Sequence, residues 1–227
     1  MLPVQPFGRL LGRAMSRRQE ELRSAGKRVL VAGLGNYGLR GTRHSVGMAI
    51  LNHLAHKLSV GDQWKTDRRC CSDVAIANLG EVEVVLMKPR RLMNVNGLCV
   101  VGAAEAYNLG AEDIYLVHDD LDKPLGKVAL KLGGSARGHN GVRSCIHALQ
   151  SDSMVRIRVG IGRPLGEAAV DRYVLGRFTL AEQEVLPQVY EQAVVMLLDH
   201  IQQSDNRKAN LATGGEPVKV SLGTEGA

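Results

Sequence analysis

The sequence predicts an α/β fold: one three-layer α/β sandwich around a mostly parallel mixed sheet. Three observations predict it. Short β-branched, apolar runs alternate with segments of helical apolar spacing, the pattern of strands returned through helices. A length of 227 residues with 44% hydrophobic content suits one large core, and 4% aromatic content means that aliphatic side chains fill it. Polar and glycine-rich motifs stand directly after several of the strands, where open α/β sheets place their sites.

The elements follow in order. Arg28-Val29-Leu30-Val31-Ala32 opens a buried strand over 28–34. A helix over Ser45 to Ser59 carries Val46, Ile50, Leu54 and Leu58 at four-residue spacing on its inner face. Val74–Asn78 and Val82–Lys88 read as two strands joined by a Leu-Gly-Glu turn. Asn96 to Asn108 is helical, with Gly110 as its C-terminal stop. Ile114–His118 is a short buried strand and Lys127–Leu132 a more amphipathic one. Gly133 to Gly138 form a glycine-rich loop leading into a helix over 140–149, and Met154–Gly160 alternates as a half-buried strand does. Thr179-Leu180-Ala181-Glu182 has the form of a capping box and starts a last helix to about Gln203; Pro187 inside it predicts a kink or a later start. Residues 1–26 read as a basic leader, 27–203 as the catalytic domain and 204–227 as a flexible tail.

Charge is unevenly placed. The formal net charge is +6, yet residues 1–28 hold seven basic side chains against Glu20 and Glu21. Residues 1–19 contain four arginines and no acid, and lack the long apolar stretch of a secretory signal. That composition resembles an organelle transit peptide and predicts a mitochondrial matrix location, with the cytoplasm as the alternative. No apolar run reaches the roughly 18–20 residues of a membrane helix. Cys70, Cys71, Cys99 and Cys145 show no Cys-x-x-Cys pair and read as reduced thiols. A second basic region lies between Lys123 and Arg163, with eight cations against Asp152 alone. Lys127, Lys131, Arg137, Arg143, Arg156 and Arg158 would form a basic face suited to the phosphates of a folded RNA.

Four motifs carry the chemistry. Gly33-Leu34-Gly35-Asn36-Tyr37-Gly38 imitates a dinucleotide fingerprint, but nothing acidic occurs between Gly38 and Asp62 to hold a ribose. The loop offers the amide of Asn36 and the imidazole of His44 instead. His118-Asp119-Asp120-Leu121-Asp122 admits three readings: a carboxylate cation site, an aspartate orienting an imidazole, or a polar turn. Lys88-Pro89-Arg90-Arg91-Leu92-Met93-Asn94 and Gly138-His139-Asn140-Gly141 place amides at element ends, as caps or as groups holding a carbonyl and a water. No serine or cysteine stands in an activating motif, so a general base acting on water is the simpler chemistry.

With Thr42-Arg43-His44, Lys131-Leu132-Gly133-Gly134 and Arg158-Val159-Gly160-Ile161-Gly162 added, seven motifs in order make the chain resemble the bacterial-type peptidyl-tRNA hydrolases from about Lys27 to Gln203. The resemblance implies hydrolysis of the ester between a peptide and the 3′ ribose of tRNA, with neither cofactor nor metal. It implies His44 as the base and Asp119 as its partner. It also implies Asn36, Leu92, Met93, Asn94 and Asn140 as the substrate-binding set, and Lys131 and Arg158 as a clamp on the tRNA 5′-phosphate. The implied partner is peptidyl-tRNA, free or on a stalled ribosome or large subunit, met by a monomer away from membranes. The first loop departs from the family pattern: Tyr37 replaces a proline, the loop is two residues shorter, and its usual tyrosine is missing. Ser45 and Leu92 stand where an asparagine and a phenylalanine are usual. The rivals are a non-catalytic RNA-binding relative and a nicotinamide-dependent oxidoreductase.

Overall fold

A computed structural model describes residues 27–164 and 169–212 of the chain. Seven strands form one mixed sheet: β1 (Lys27–Gly33), β2 (Lys65–Asp67), β3 (Ser72–Leu79), β4 (Val82–Pro89), β5 (Ile114–Asp120), β6 (Val128–Leu132) and β7 (Val155–Gly160). Their order is β2-β3-β4-β1-β5-β7-β6. The four central strands run parallel, whereas β2, β3 and β6 join antiparallel at the edges. All four parallel strands therefore end on the same edge of the sheet.

Five α-helices cover the two faces: α1 (Val46–Lys57), α2 (Asn96–Tyr107), α3 (Asn140–Leu149), α4 (Val170–Leu175) and α5 (Leu180–Ala212). The two-residue period of the strands divides the core. Val29, Val31, Val84, Leu86 and Val117 pack with Ile50, Leu51 and Leu54 of α1 and with Val189, Val194 and Leu197 of α5. Leu30, Ala32, Val85, Met87 and Leu116 pack on the opposite face with Val100 and Ala103 of α2 and Val142 and Cys145 of α3. The predicted three-layer sandwich is thus observed.

Several boundaries differ from the sequence reading, each for a physical reason. β2, whose Lys-Thr-Asp carries no apolar residue, and the six-residue α4 give too little periodicity to be seen. α2 stops one residue earlier than predicted, because Asn108 takes the left-handed conformation (φ 55°); Gly110 instead opens the 3-10 turn Ala111–Asp113. The predicted capping box is present: Thr179 N–H donates to Glu182 Oε2 (2.7 Å) and Glu182 N–H to Thr179 Oγ1 (3.3 Å). Pro187 does not delay α5, and it lies on the helix's exposed side. The helix also continues past Gln203, so the tail cannot begin at 204. No proline or glycine interrupts 204–212, and an ion pair from Lys27 to Asp205 (2.6 Å) ties this part of α5 to the start of β1. The leader before Lys27 and the rest of the tail lie outside the described residues.

One close approach positions the functional edge. A Cβ on Gly47 would overlap the carbonyl oxygen of Val117 and lie 2.8 Å from that of Leu34. Leu34 N–H already donates to Val117 O (2.9 Å). Only a bare backbone lets the start of α1 rest on the ends of β1 and β5. A Gly47→Ala substitution should therefore lower unfolding stability by about 1–3 kcal/mol. Urea unfolding checks this, and an unchanged midpoint would show that the helix approaches with room to spare.

Candidate active site

The turn that presents His44 is built from its neighbours. Thr42 Oγ1 donates to Leu39 O (2.9 Å) and lies 3.1 Å from Ser45 Oγ, which also accepts from Asn36 N–H (3.2 Å). Buried Arg43 donates to Arg177 O (2.7 Å), pairs with Glu182 of the capping box (2.6 Å) and lies over the Tyr173 ring, 4.3 Å from its centroid. Threonine and arginine thus pin the 3-10 turn Arg43–Ser45 from both sides. His44 projects toward the end of β5.

β5 runs on through Asp120, further than the sequence reading placed it, so His118 and Asp119 belong to a hydrogen-bonded strand paired with β7. Asp119 is 2% exposed. His44 Nδ1 lies 2.9 Å from both of its oxygens, and His139 Nε2 lies 2.9 Å from Oδ1. Val142 N–H donates to His139 Nδ1 (3.2 Å), capping α3. A ring nitrogen that accepts carries no proton, so His139 is protonated on Nε2 and donates to Asp119. His44 likewise donates through Nδ1. In the neutral ring that leaves the lone pair on Nε2. Burial by itself would raise the Asp119 carboxyl, but the His139 and His44 imidazoles outweigh it and hold the group far below the usual carboxylate range.

His118 completes the cluster. Its Nδ1–H donates to the Asp119 carbonyl (2.7 Å), its ring meets His139 edge-on (4.6 Å between centroids), and its Nε2 is buried without a partner. Burial, aided by His139, pushes its pKa down to about 3.

A cleft of about 310 Å³ opens beside these groups, lined by His44, Asp119, His139 and Asn140 and, further along, by Lys131 and Arg158. Among the described residues, Lys131 Nζ donates only to Ser135 O (3.3 Å). Partial desolvation, with Arg156, Arg137 and Arg158 nearby, lowers its pKa. Arg158 is already paired with Asp120 (2.6 Å), and Asp122 with Arg163 (2.5 Å). Arg156 is not on the predicted basic face. It is 2% exposed and donates to the carbonyls of Ser135 (2.7 Å) and Gly134, so it anchors the glycine-rich loop from beneath.

The family model for peptidyl-tRNA hydrolase matches residues 30–219. The chain belongs to the peptidyl-tRNA hydrolase family. It is 60% identical over 188 residues to a mouse protein named probable peptidyl-tRNA hydrolase, covering 83% of this chain and 92% of the mouse one. It is 40% identical to the peptidyl-tRNA hydrolase of Mycolicibacterium vanbaalenii, covering 86% and 96%. The crystal structure of peptidyl-tRNA hydrolase from Acinetobacter baumannii superposes with a TM-score of 0.72 at 31% identity, over 80% of this chain and 91% of that one. These likenesses support a catalytic member of the family, not the non-catalytic relative.

Other expected residues take varied places. Asn36 Oδ1 accepts from Met93 N–H (2.7 Å) and so locks two loops together. Met93 is buried, and its Sδ occupies the space a Cβ on Gly141 would need. Asn36 and Met93 therefore carry the site's frame. Asn94 and Leu92 lie exposed on the turn that packs against α3, where Asn140 is also exposed. Among the described residues, the group close enough to share a metal is His44, Asp119 and His139, not the three aspartates of the β5 end. The oxidoreductase reading fails on the loop itself. The N–H groups of Leu34, Gly35, Asn36 and Tyr37 are bound to Val117 O, Asn96 Oδ1, Ser45 Oγ and Arg91 O, leaving no pyrophosphate cradle.

Sequence reasoning named His139 in its motif without a role, assigned Arg156 to the basic face, and read Asn96 only as a helix start, although both side chains are buried. Roles fixed by long-range partners leave no local signal.

His118 gives a pH prediction. Its folded-state pKa, about 3, lies below the ordinary imidazole value of 6.5. Between those values the unfolded chain binds a proton that the folded one does not, so stability falls as pH drops through this window. His118→Asn keeps a donor for Asp119 O but cannot titrate. From pH 7 to pH 5 the parent should lose about 2 kcal/mol more than this variant in urea unfolding. Equal losses would show that His118 charges in the folded state.

Proposed function

We propose that this chain hydrolyses the ester between a peptide, or N-blocked aminoacyl group, and the 3′ ribose of tRNA, with His44 as general base. One observation carries the reading: His44 is held through Nδ1 by a buried carboxylate while its Nε2 lone pair meets a cleft. His44 Nε2 takes a proton from water as the oxygen attacks the ester carbonyl. Asp119 stabilises the imidazolium that results. When the tetrahedral intermediate collapses, the C–O bond to the ribose breaks and the imidazolium returns its proton to the departing 3′ oxygen. An acyl ester needs modest activation, so positioning and a base suffice without a metal.

Asn94 and Asn140 bind the peptide end beside the water, on the frame made by Asn36, Leu92 and Met93. Lys131 and Arg158 attract the 5′-phosphate of tRNA. Lys131 is the stronger attractor of the two, because Asp120 shares the charge of Arg158. The products, free tRNA and peptide, return tRNA to translation, and the same chemistry serves ribosome rescue. In this reading the chain acts as a monomer. The arginine-rich stretch 1–19 supports delivery to the mitochondrion.

Release of intact tRNA from an N-acetylaminoacyl-tRNA tests the reading. His44→Ala should lower turnover roughly 10²–10⁴-fold with tRNA binding retained. Asp119→Asn should also slow it, by disturbing the tautomer. Near-full activity of His44→Ala would refute the mechanism.

A further inference from the structure

The sheet ends at β6, and an apolar groove lies along that end, between the edge strand and α5. It has about 580 Å³, and Val128 and Leu130 of β6 face Val195 and Met196 of α5 across it. Val195 is 43% exposed. Two carboxylates of α5, Glu191 and Asp199, border the apolar floor two helical turns apart. Glu191 is shared with His53 (2.9 Å) and Lys57. Asp199 has no ion pair among the described residues. An occupant must therefore bring apolar side chains and a row of cations.

One segment of this chain brings both. On a helix over 7–22, Phe7, Leu11, Ala14, Met15 and Leu22 share one face, and Arg9, Arg13 and Arg17 follow its flank at four-residue spacing. Gly8 and Gly12 make that helix weak in isolation, so it needs a surface on which to form. The tether leads to the groove. Lys27 pairs with Asp205 of α5 (2.6 Å), and Gln203, about half a turn before Asp205, lines one end of the groove. Extended, the residues from Arg23 to Gly26 let Leu22 lie up to about 17 Å from Lys27, enough to set it beside Gln203. From there a helix back to Phe7 measures about 22 Å, against about 18 Å for the stretch from Gln203 to Glu191. In that register Arg17 meets Asp199 and Arg9 meets Glu191, because both pairs have the same spacing. The residues after Ala212 do not match: they carry Lys219 alone against Glu216 and Glu225. We propose that the groove between β6 and α5 is the docking site of the chain's own leader, bound as an amphipathic helix over 7–22. A leader taken up for delivery through the same apolar face must first leave the groove.

Hydrogen–deuterium exchange of the full chain tests this, read by mass spectrometry on peptides spanning 7–22. In the parent these amides should exchange about tenfold more slowly than in a Leu11→Asp, Met15→Asp variant. Val195→Lys, at an exposed position, should remove the same protection and leave the amides of β1 and β5 unchanged. Asp199→Arg and Arg17→Glu should each weaken the protection, and the two together should restore it. A parent leader that exchanges as fast as the Leu11→Asp, Met15→Asp variant would overturn the proposal. So would protection indifferent to Val195→Lys, or a charge swap without rescue. Protection that rises with protein concentration, alongside a doubled sedimenting mass, would also overturn it and put a second copy of the chain in the groove.

Discussion

A carboxylate taken out of water loses several kcal/mol of hydration unless donors meet its oxygens. Asp119 is almost fully buried, and two imidazole N–H groups meet it, from His44 and His139. The arrangement works in both directions. The imidazoles keep Asp119 ionised, and the ionised carboxylate fixes which nitrogen of each ring carries the proton. His44 is thereby left with an accepting Nε2 toward the cleft. Val142 N–H supplies the remaining constraint by occupying His139 Nδ1, so a helix cap and one of the donors that meet Asp119 depend on one side chain.

Everything else serves to hold His44 at that distance. β5 gives Asp119 a backbone fixed by pairing with β7. Gly47 lets α1 settle onto Val117, and Arg43 ties the His44 turn to the start of α5 through Glu182. Asn36 links the same turn to Met93 and, through Gly141, to the start of α3. The frame has a cost. His118 keeps a buried nitrogen, unpartnered among the described residues, next to the Asp119 carboxylate, and its lowered pKa predicts a weaker fold as the medium becomes acidic. Stability given up at a functional site is a familiar compromise.

The layer architecture was legible because aliphatic periodicity records burial directly: Val46, Ile50 and Leu54 face the sheet as their spacing predicts. His44 and Asp119 stood out in the sequence because each lies in a polar motif near a strand end, and the structure brings the two together. What escaped is set by contacts distant in sequence. Arg156 looks like a surface cation in an alternating strand, yet it is buried under carbonyls of the glycine-rich loop. His139 reads as one residue before a helix, and only the fold brings it to Asp119. Arg158 carries the charge expected of a phosphate clamp, but its pairing with Asp120 depends on strand register. The dinucleotide-like glycines mark a loop whose amides serve the protein itself.

The tautomers of His44 and His139 can be measured directly by two-dimensional nitrogen–proton NMR of the histidine side chains. The account predicts that, in its neutral form, His44 carries its proton on Nδ1 with an unprotonated Nε2, while His139 shows the reverse. A neutral His44 protonated on Nε2 would have no lone pair facing the cleft, and that result would contradict the proposal that it activates water.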